Sequence, residues 1–307
     1  MNSIISKHIF SKDGIYWLGY YIINHSFLKK IVPDKLFLTL QYRAVFGKSI
    51  NWNSPVTYNE KLQWLKVYDR RPIYTTMVDK YAVKKSVAEI IGEEHIIPTL
   101  GVWDRPEDIE WDKLPNQFVL KCTHDSGGLV ICRDKETLDR KAAIKKLNKS
   151  LQNDYYMAGR EWPYKNVPRR IIAERYMEDK NVGELPDYKF FCFNGRCESF
   201  KIDFDRQKTH HANYYNRACE LMPFGEVVCP PDYKRNLNIP SNVNEMINYA
   251  ELLASHINSS FVRVDLYNIN GQIYFGEITF YPASGFGKFE PKEWDKTIGE
   301  WINLPKK

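Results

Sequence analysis

The 307-residue sequence has few cysteines and none of the close spacings that bind metals. The six cysteines are Cys122, Cys132, Cys192, Cys197, Cys219 and Cys229. No two of them form a C-x-x-C pair, which excludes the usual cysteine-based zinc and redox motifs. Scattered thiols in a chain of this length are typical of a reducing compartment.

The sequence also lacks a long apolar run. The longest run near the N-terminus, residues 15–23, is far too short to span a bilayer, and Lys7 and Lys12 interrupt the residues before it. We therefore expect no signal peptide and a cytoplasmic protein. Residues 1–50 mix aromatic, aliphatic and basic side chains, which favours a packed helical extension over an amphipathic helix at the inner face of the membrane.

Two common nucleotide-binding motifs are absent, G-x-x-x-x-G-K-[ST] and G-x-G-x-x-G. The net charge of +6, from 44 basic and 38 acidic residues, favours an anionic ligand such as a nucleotide or an acidic saccharide. The densest basic segment, residues 141–149, has the spacing of a solvated helix face. Because no basic stripe or nucleic-acid module is present, we expect no nucleic-acid partner.

Helical patterns dominate before residue 116. Thr57 and Glu60 have the spacing of a capping box. The predicted helices are residues 1–50 with a break at Pro33, a helix that begins at Thr57, and a helix from Met77 or Asp79 to Ile91 that ends at Gly92. Residues 1–115 are therefore predicted to form a mainly helical N-terminal region.

Strand patterns dominate residues 116–307, the predicted second domain. Asn194-Gly195 and Asn270-Gly271 are strong hairpin signals. The predicted strands are 117–122, 129–132, 170–176, 187–194, 196–204, 261–267 and 272–279, with helices at about 135–151 and 243–256. Residues 205–239 carry prolines and no clear period, which indicates a long surface loop. This order predicts an α+β fold with antiparallel sheets that face each other.

A lysine and a glycine-rich turn lie together in residues 118–128. Lys121 ends a buried strand, where its charge is costly unless it is paired. The following Ser126-Gly127-Gly128 turn lets backbone N–H groups approach a ligand closely. Lysine with exposed amides suits a phosphate group, although a plain hairpin with a lysine at its edge has the same pattern.

Two carboxylates stand on the last predicted hairpin. Asp265 and Glu277 interrupt apolar runs on paired strands, so their side chains can converge on one face. Neighbouring carboxylates repel each other unless a cation lies between them, which favours Mg²⁺. The alternative is that Asp265 forms a structural ion pair with a neighbouring lysine or with Arg263. We expect the pair with Arg263 to be disfavoured because side chains two residues apart on a strand splay.

Two further charged residues lie at strand ends. Glu174 ends an apolar strand and could bind an adenine amino group or a ribose hydroxyl, although a surface charge is the commoner role. Lys189 lies at the start of another strand, where phosphate or the opposing carboxylates could hold it.

The chain order of these elements resembles an ATP-grasp domain, and more narrowly the teichuronopeptide-synthesis (TupA-like) ATP-grasp family. The resemblance covers roughly residues 33 to 304. The segments that carry it are residues 57–66, 79–83, 118–128, 187–195, 263–267 and 275–282. So many ordered matches make the resemblance specific.

The resemblance implies that ATP lies between two antiparallel sheets. Lys121 would contact phosphate oxygens beneath the 126–128 turn, with Lys80 a further phosphate ligand. Glu174 and the backbone near Met177 would hold the adenosine, and Lys189 would lie near the phosphates. The Mg²⁺ ligands would be Asp265, Glu277 and Thr279, the last in a position where the general pattern has asparagine.

The resemblance also implies a carboxylate–amine ligase that works through an acyl phosphate. Its expected partners are ATP, an amine or amino acid, and a uronic-acid saccharide of a bacterial surface polymer. Residues 205–216 would form the substrate loop, with Arg206 for a carboxylate and His210 or His211 for the amine proton. The alternative is a glycosyltransferase, for which Asp203-Phe204-Asp205 has the D-x-D form.

Overall fold

The structure, a computed structural model, describes residues 14–179, 187–205, 209–235 and 237–306. These ranges contain helices and antiparallel sheets, the α+β arrangement that the sequence predicts. The helices are α1 (Gly14–Asn24), α2 (Asp34–Phe46), α3 (Tyr58–Tyr68), α4 (Pro72–Val78), α5 (Ala82–Ile91), α6 (Arg140–Leu151), α7 (Tyr155–Gly159), α8 (Val243–Ile257) and α9 (Trp294–Glu300). Among the described residues, no helix combines the length and the apolar character needed to cross a membrane.

The strands form two main sheets and one short ladder. They are β1 (Thr99–Trp103), β2 (Phe118–Cys122), β3 (Leu129–Cys132), β4 (Ile171–Arg175), β5 (Asp187–Phe193), β6 (Arg196–Phe204), β7 (His211–Asn216), β8 (Gly225–Glu226), β9 (Phe261–Ile269), β10 (Gln272–Thr279) and β11 (Phe289–Glu290). The four-stranded sheet has the order β1-β4-β2-β3, the five-stranded sheet has the order β10-β9-β5-β6-β7, and β11 pairs with β8.

The two faces of the five-stranded sheet differ in character. Phe190 and Phe200 are directly opposite each other on β5 and β6, fully buried, with their ring centroids 5.5 Å apart. Each contributes roughly 1.5–3 kcal/mol by burial. Lys189 precedes Phe190 on β5, and Lys201 follows Phe200 on β6; the two lysines are directly opposite each other. Because successive side chains alternate, both lysines point to the other face of the sheet. The two lysines therefore lie on the face opposite Phe190 and Phe200, and Lys201 shares that face with the buried Tyr214.

Predictions based on local signals are confirmed. The Thr57 hydroxyl oxygen accepts a hydrogen bond from the Glu60 backbone N–H, and the Glu60 carboxylate accepts one from the Thr57 backbone N–H, which completes the capping box. Both hairpin turns have two residues with positive φ: 52° and 85° at Asn194-Gly195, and 53° and 85° at Asn270-Gly271. This is the backbone that asparagine and glycine accept readily in a tight hairpin.

Two predicted helix starts were wrong. The helix expected from Met77 or Asp79 is two helices, α4 and α5, because the Asp79 carboxylate accepts hydrogen bonds from the backbone N–H groups of Tyr81 and Ala82 at 2.9 and 3.2 Å. The basic helix begins at Arg140 and not near residue 135. Its cap is Asp139, whose side chain accepts from the Ala142 N–H.

The prediction of a long loop over residues 205–239 was also wrong. This stretch contains β7, the edge strand of the five-stranded sheet, and β8. The domain boundary at residue 116 stays a prediction. β1 lies before that boundary and pairs with β4 beyond it, so the four-stranded sheet takes strands from both predicted regions.

Candidate active site

A cleft of about 350 Å³ lies between the two main sheets. Apolar side chains line part of it, including Ile97, Leu129 and Phe275. The charged residues that line it are Lys80, Lys84, Lys121, Asp125, Glu174, Asp187, Lys189, Arg263, Asp265 and Glu277. The cleft therefore brings together most of the residues that the sequence predicts for ATP and metal binding.

Glu174 is held by two lysines on the four-stranded sheet. Its carboxylate lies 2.5 Å from the Nζ atoms of both Lys121 on β2 and Lys84 on α5. Burial opposes its ionisation, but the two ammonium groups lower its pKa below the usual value. Glu174 is thus not a surface charge. Met177 lies half-buried in the connection that follows β4.

The turn after β2 is fixed by Asp125. Its carboxylate accepts from the Gly128 N–H at 3.1 Å and from the Ser150 hydroxyl. Its backbone carbonyl accepts a hydrogen bond from the Lys80 ammonium. Ser126 and Gly127 are exposed at the tip of the turn. Asp125 therefore shapes the turn from beneath and keeps Lys80 against it.

The two glycines of the turn should respond differently to alanine. A Cβ at Gly128 would lie 2.3 Å from Ser150 Oγ and 2.6 Å from Cys122 Sγ, whereas at Gly127 the nearest atom is 3.9 Å away. We expect Gly128→Ala to lower the free energy of unfolding by about 1–3 kcal/mol. Gly127→Ala should change it by less than about 0.5 kcal/mol. Urea unfolding checks this, and equal effects would contradict it.

Lys189 lies at the centre of the charged face of the five-stranded sheet. Its ammonium contacts the carboxylates of Asp187 and Asp203, and it is directly opposite Asp265 on β9. Only 9% of its side chain is exposed. The predicted position near opposing carboxylates therefore matches the geometry, with Asp203 as an additional partner that the sequence did not indicate.

Asp265 and Glu277 are directly opposite each other on β9 and β10, next to an irregularity in the register at Gly276. The expectation that Arg263 does not pair with Asp265 was wrong. Its guanidinium donates two hydrogen bonds of 2.6 Å to the Asp265 carboxylate, and a third of 3.2 Å to Glu277. Residues two apart share a strand face, and the long planar guanidinium reaches its neighbour despite the splay of the Cβ atoms.

Glu277 is the more accessible of the two carboxylates for a magnesium ion, because both oxygens of Asp265 accept hydrogen bonds from Arg263. Burial raises the pKa of Asp265, while Arg263, Lys80 and Lys189 lower that of Glu277 against the effect of burial. The Glu277 side chain is 42% exposed, so its oxygens are accessible from the cleft. Thr279 donates to Glu277 Oε1 at 3.2 Å. Hard carboxylate and hydroxyl oxygens are the donors that Mg²⁺ prefers.

The two histidines predicted for the substrate loop have different hydrogen-bond partners. Arg206 lies outside the described residues. Nε2 of His210 lies 2.9 Å from Asp203 Oδ1. His211 lies on β7, and its Nδ1 is 2.9 Å from the Pro230 carbonyl oxygen. The two histidines therefore have different surroundings, although the sequence treats them alike.

The sequence analysis did not single out several charged residues that lie in the cleft or beside it. Arg263 was considered only as an ion-pair partner of Asp265 that would replace a metal ion. Lys84 was not recognised because, in a helical sequence, a lysine that faces a binding site cannot be distinguished from one that faces solvent. Lys201 on β6 and Glu226 on β8 lie 3.1 Å apart although their strands belong to different sheets, so only the folded chain brings them together.

Glu226 should give the unfolding free energy a measurable pH dependence. Burial opposes its ionisation, but Lys201 and hydrogen bonds from Cys229 and Tyr214 lower its pKa from 4.5 to about 2. The stability that it contributes should be complete above pH 4.5 and lost as the pH falls towards about 2. Urea unfolding of Glu226→Gln should show a weaker dependence in this range than the wild type. A Glu290→Gln variant is the exposed control, and an unchanged slope in Glu226→Gln would contradict the assignment.

Comparison with known proteins supports one family. The sequence model of the TupA-like ATP-grasp family matches residues 60–303. No curated protein matches the chain. Similar solved structures include a D-alanine–D-alanine ligase from Bacillus anthracis complexed with ATP (17% identity, TM-score 0.39, 67% of this chain and 54% of that one). Another is the D-cycloserine synthetase DcsG, with 15% identity and a TM-score of 0.39 over 75% of this chain and 70% of that one. The chain thus spans about half of the first of these structures.

Proposed function

Because the chain belongs to the TupA-like ATP-grasp family of ATP-dependent ligases, we propose that it joins an amino acid or another amine to the carboxylate of a uronic acid. The amide forms through an acyl phosphate, with ADP and phosphate as the other products. The uronic acid belongs to a bacterial surface polysaccharide such as a capsule or O-antigen. The net charge of +6 supports an acidic saccharide as the partner.

The observation that carries the proposal is that cationic side chains and carboxylates line both sides of one cleft. Lys80 and Lys121 line one side, and Lys189 and Arg263 line the other, where Glu277 is partly exposed on the same sheet. Cationic side chains bind the oxygens of a triphosphate, and a carboxylate next to them suits its magnesium ion. The apolar part of the cleft offers a place for the adenine ring.

In the first step, a substrate carboxylate oxygen attacks the γ-phosphorus of ATP. The bond to the bridging oxygen breaks, and ADP leaves with the electron pair. The ammonium groups of Lys80 and Lys121 neutralise the charge that develops on the phosphoryl oxygens. Asp265, Glu277 and Thr279 would hold Mg²⁺, which supplies further charge neutralisation. The two sheets limit the access of water, which would hydrolyse the acyl phosphate.

In the second step, the amine attacks the acyl carbon and phosphate leaves. Arg206 is the proposed ligand of the substrate carboxylate, because its planar guanidinium suits two carboxylate oxygens. His210 or His211 takes the proton from the amine.

The glycosyltransferase alternative depends on the D-x-D motif at residues 203–205. Asp203 is only 1% exposed at its side chain, and its oxygens accept from Lys189 and His210. The motif also lies where β6 ends, and no glycine-rich phosphate-binding turn stands beside it in the sequence. This environment favours the ligase.

We further propose that the protein is cytoplasmic and contacts the inner face of the membrane through residues 1–50. In the described part of this region, Ile15, Phe27 and Ile31 are 74%, 74% and 66% exposed, and the exposed Lys30 directly precedes Ile31 in the chain. Exposed apolar side chains beside basic ones are typical of proteins that bind an anionic lipid surface.

Phosphate release tests the proposal. Mg-ATP would be supplied with amino acids crossed with uronic acids and short uronate-containing glycans. We expect release that needs both an amine and a carboxylate. Release with a uronic acid alone, unchanged by any amine, would indicate a kinase. No release across the panel, together with no ATP binding by calorimetry, would contradict the proposal and favour the glycosyltransferase.

A further inference from the structure

His210 and His211 lie in different positions relative to the cleft. In the pairing of β6 with β7, Phe204 is opposite His211 and Asp203 is opposite Ala212. Residues that are directly opposite share a sheet face, and successive residues alternate. His211 therefore lies on the Phe204 face, where the two rings stack with their centroids 5.7 Å apart. Asp203 lies on the other face, which carries Lys189 and lines the cleft.

His210 is held by the buried Asp203. Its Nε2 atom lies 2.9 Å from Asp203 Oδ1. Burial raises the pKa of Asp203, but Lys201, Lys189 and the hydrogen bond from His210 hold it well below its usual range, so the carboxylate is ionised. An ionised carboxylate only accepts hydrogen bonds, so Nε2 carries the hydrogen. In the neutral ring, Nδ1 then has the lone pair that can accept a proton.

Asp203 also connects this histidine to the cleft. Its Oδ2 atom accepts from the ammonium of Lys189, which lines the cleft and also contacts Asp187. One buried carboxylate thus lies between a proposed phosphate ligand and His210, whose side chain is 39% exposed. Because β6 fixes Asp203, the imidazole is held one carboxylate away from Lys189, which lines the cleft, with one tautomer selected.

We infer that His210, and not His211, is the general base that takes the proton from the amine, and that Asp203 is the residue that positions it. This inference rests on the proposed ligase function. The ammonium form of the substrate gives one proton to Nδ1 of His210, and the neutral nitrogen attacks the acyl carbon of the acyl phosphate. The carbon–oxygen bond to phosphate then breaks and phosphate leaves with the electron pair. The second nitrogen proton passes to the departing phosphate or to water.

A metal site is the competing explanation for the same side chains. Ligand atoms of Asp203, His210 and Cys229 lie within 4.8 Å of one another. However, the Lys201 ammonium lies 3.7 Å from Asp203 Oδ1 and 3.9 Å from Cys229 Sγ, so a cation already neutralises this cluster. Burial raises the pKa of the Cys229 thiol to about 12, which keeps it protonated and a poor ligand.

The test compares two nitrogen nucleophiles, each supplied together with the same uronic acid. Wild-type protein and the variants His210→Ala, His211→Ala and Asp203→Asn would receive Mg-ATP and galacturonate, with either alanine or hydroxylamine. Alanine must lose a proton before it attacks, whereas hydroxylamine is already neutral at neutral pH. We expect His210→Ala to lose roughly 10²–10⁴-fold in amide formation and to keep hydroxamate formation. Added imidazole should restore part of the amide activity.

Asp203→Asn should show a smaller loss with the same preference for hydroxylamine, which a merely structural role would not produce. Nitrogen NMR of the His210 ring gives an independent readout, with the Nε2–H tautomer expected in the wild type and a changed tautomer ratio in Asp203→Asn. His256→Ala, at an exposed helical position, is the matched control.

The outcomes separate the two proposals. Equal losses with both nucleophiles, a loss in His211→Ala in place of His210→Ala, or a stoichiometric bound metal with inactivation by chelation of that metal would overturn the inference and leave the ligase intact. If the wild type forms neither amide nor hydroxamate with galacturonate, the proposed function fails and the inference fails with it.

Discussion

Replacement of Arg263 by methionine is expected to lower the free energy of unfolding by about 3–5 kcal/mol, because it leaves a buried carboxylate unpaired. The guanidinium donates two hydrogen bonds of 2.6 Å to Asp265, and the side chains are only 11% and 4% exposed. Methionine fills a similar volume without the charge. Chemical denaturation of the wild type and Arg263→Met measures the difference.

A surface pair and a double variant serve as controls. Arg217 makes an equivalent contact to Glu251, but its side chain is 40% exposed, so Arg217→Met should cost at most about 1 kcal/mol. Replacing Asp265 by leucine in the Arg263→Met background should recover part of the lost stability, because the unpaired charge is removed. Equal losses in the two arginine variants would contradict the burial argument.

Replacement of Glu277 by alanine is expected to reduce the rate of ATP turnover by roughly 10²–10³-fold, the effect of removing one preorganised electrostatic group from a site. Glu277 is the partly exposed member of the carboxylate pair, and it lies opposite Asp265 in the sheet. Its loss removes a proposed magnesium ligand, so the negative charge that develops on the γ-phosphate is neutralised less well. Steady-state rates at several Mg²⁺ concentrations measure the effect.

The magnesium dependence distinguishes a metal ligand from a structural carboxylate. We expect the Glu277→Ala variant to need a higher Mg²⁺ concentration for its residual activity, while its thermal midpoint stays near that of the wild type. Glu290→Ala, which removes an exposed carboxylate, should behave like the wild type in both measurements. Full activity with unchanged magnesium dependence in Glu277→Ala would remove Glu277 from the site.

The sequence predicted those parts of the fold that depend on short-range signals. The capping box at Thr57 and the hairpin turns at Asn194-Gly195 and Asn270-Gly271 need only neighbouring residues, and all formed as expected. β7 was missed because its His-Ala-Asn-Tyr-Tyr-Asn sequence follows no clear alternation and because Pro223, Pro230 and Pro231 follow it in the same stretch. Its adjacent tyrosines, Tyr214 and Tyr215, were the available signal, since aromatic residues favour strands.

Residues of the candidate site were predictable where a motif carried them. Lys121, Glu277 and Lys189 stood out because charged residues within apolar runs are costly and need partners. The partners themselves were not predictable, since Asp203 reaches Lys189 only through the register of β5 and β6. Arg263 shows the limit of an argument from strand geometry. The positions of Cβ atoms follow from alternation, but the reach of a long side chain does not.

Transfer of ¹⁸O from the substrate carboxylate to phosphate tests the central claim most directly. The uronic acid would carry ¹⁸O in its carboxylate, and the phosphate released with Mg-ATP and an amine would be analysed by mass spectrometry. An acyl phosphate places one carboxylate oxygen in the phosphate that leaves, so we predict one ¹⁸O atom per phosphate released during amide formation. Amide formation with unlabelled phosphate would contradict the acyl-phosphate mechanism, and with it the role assigned to the cleft between the two sheets.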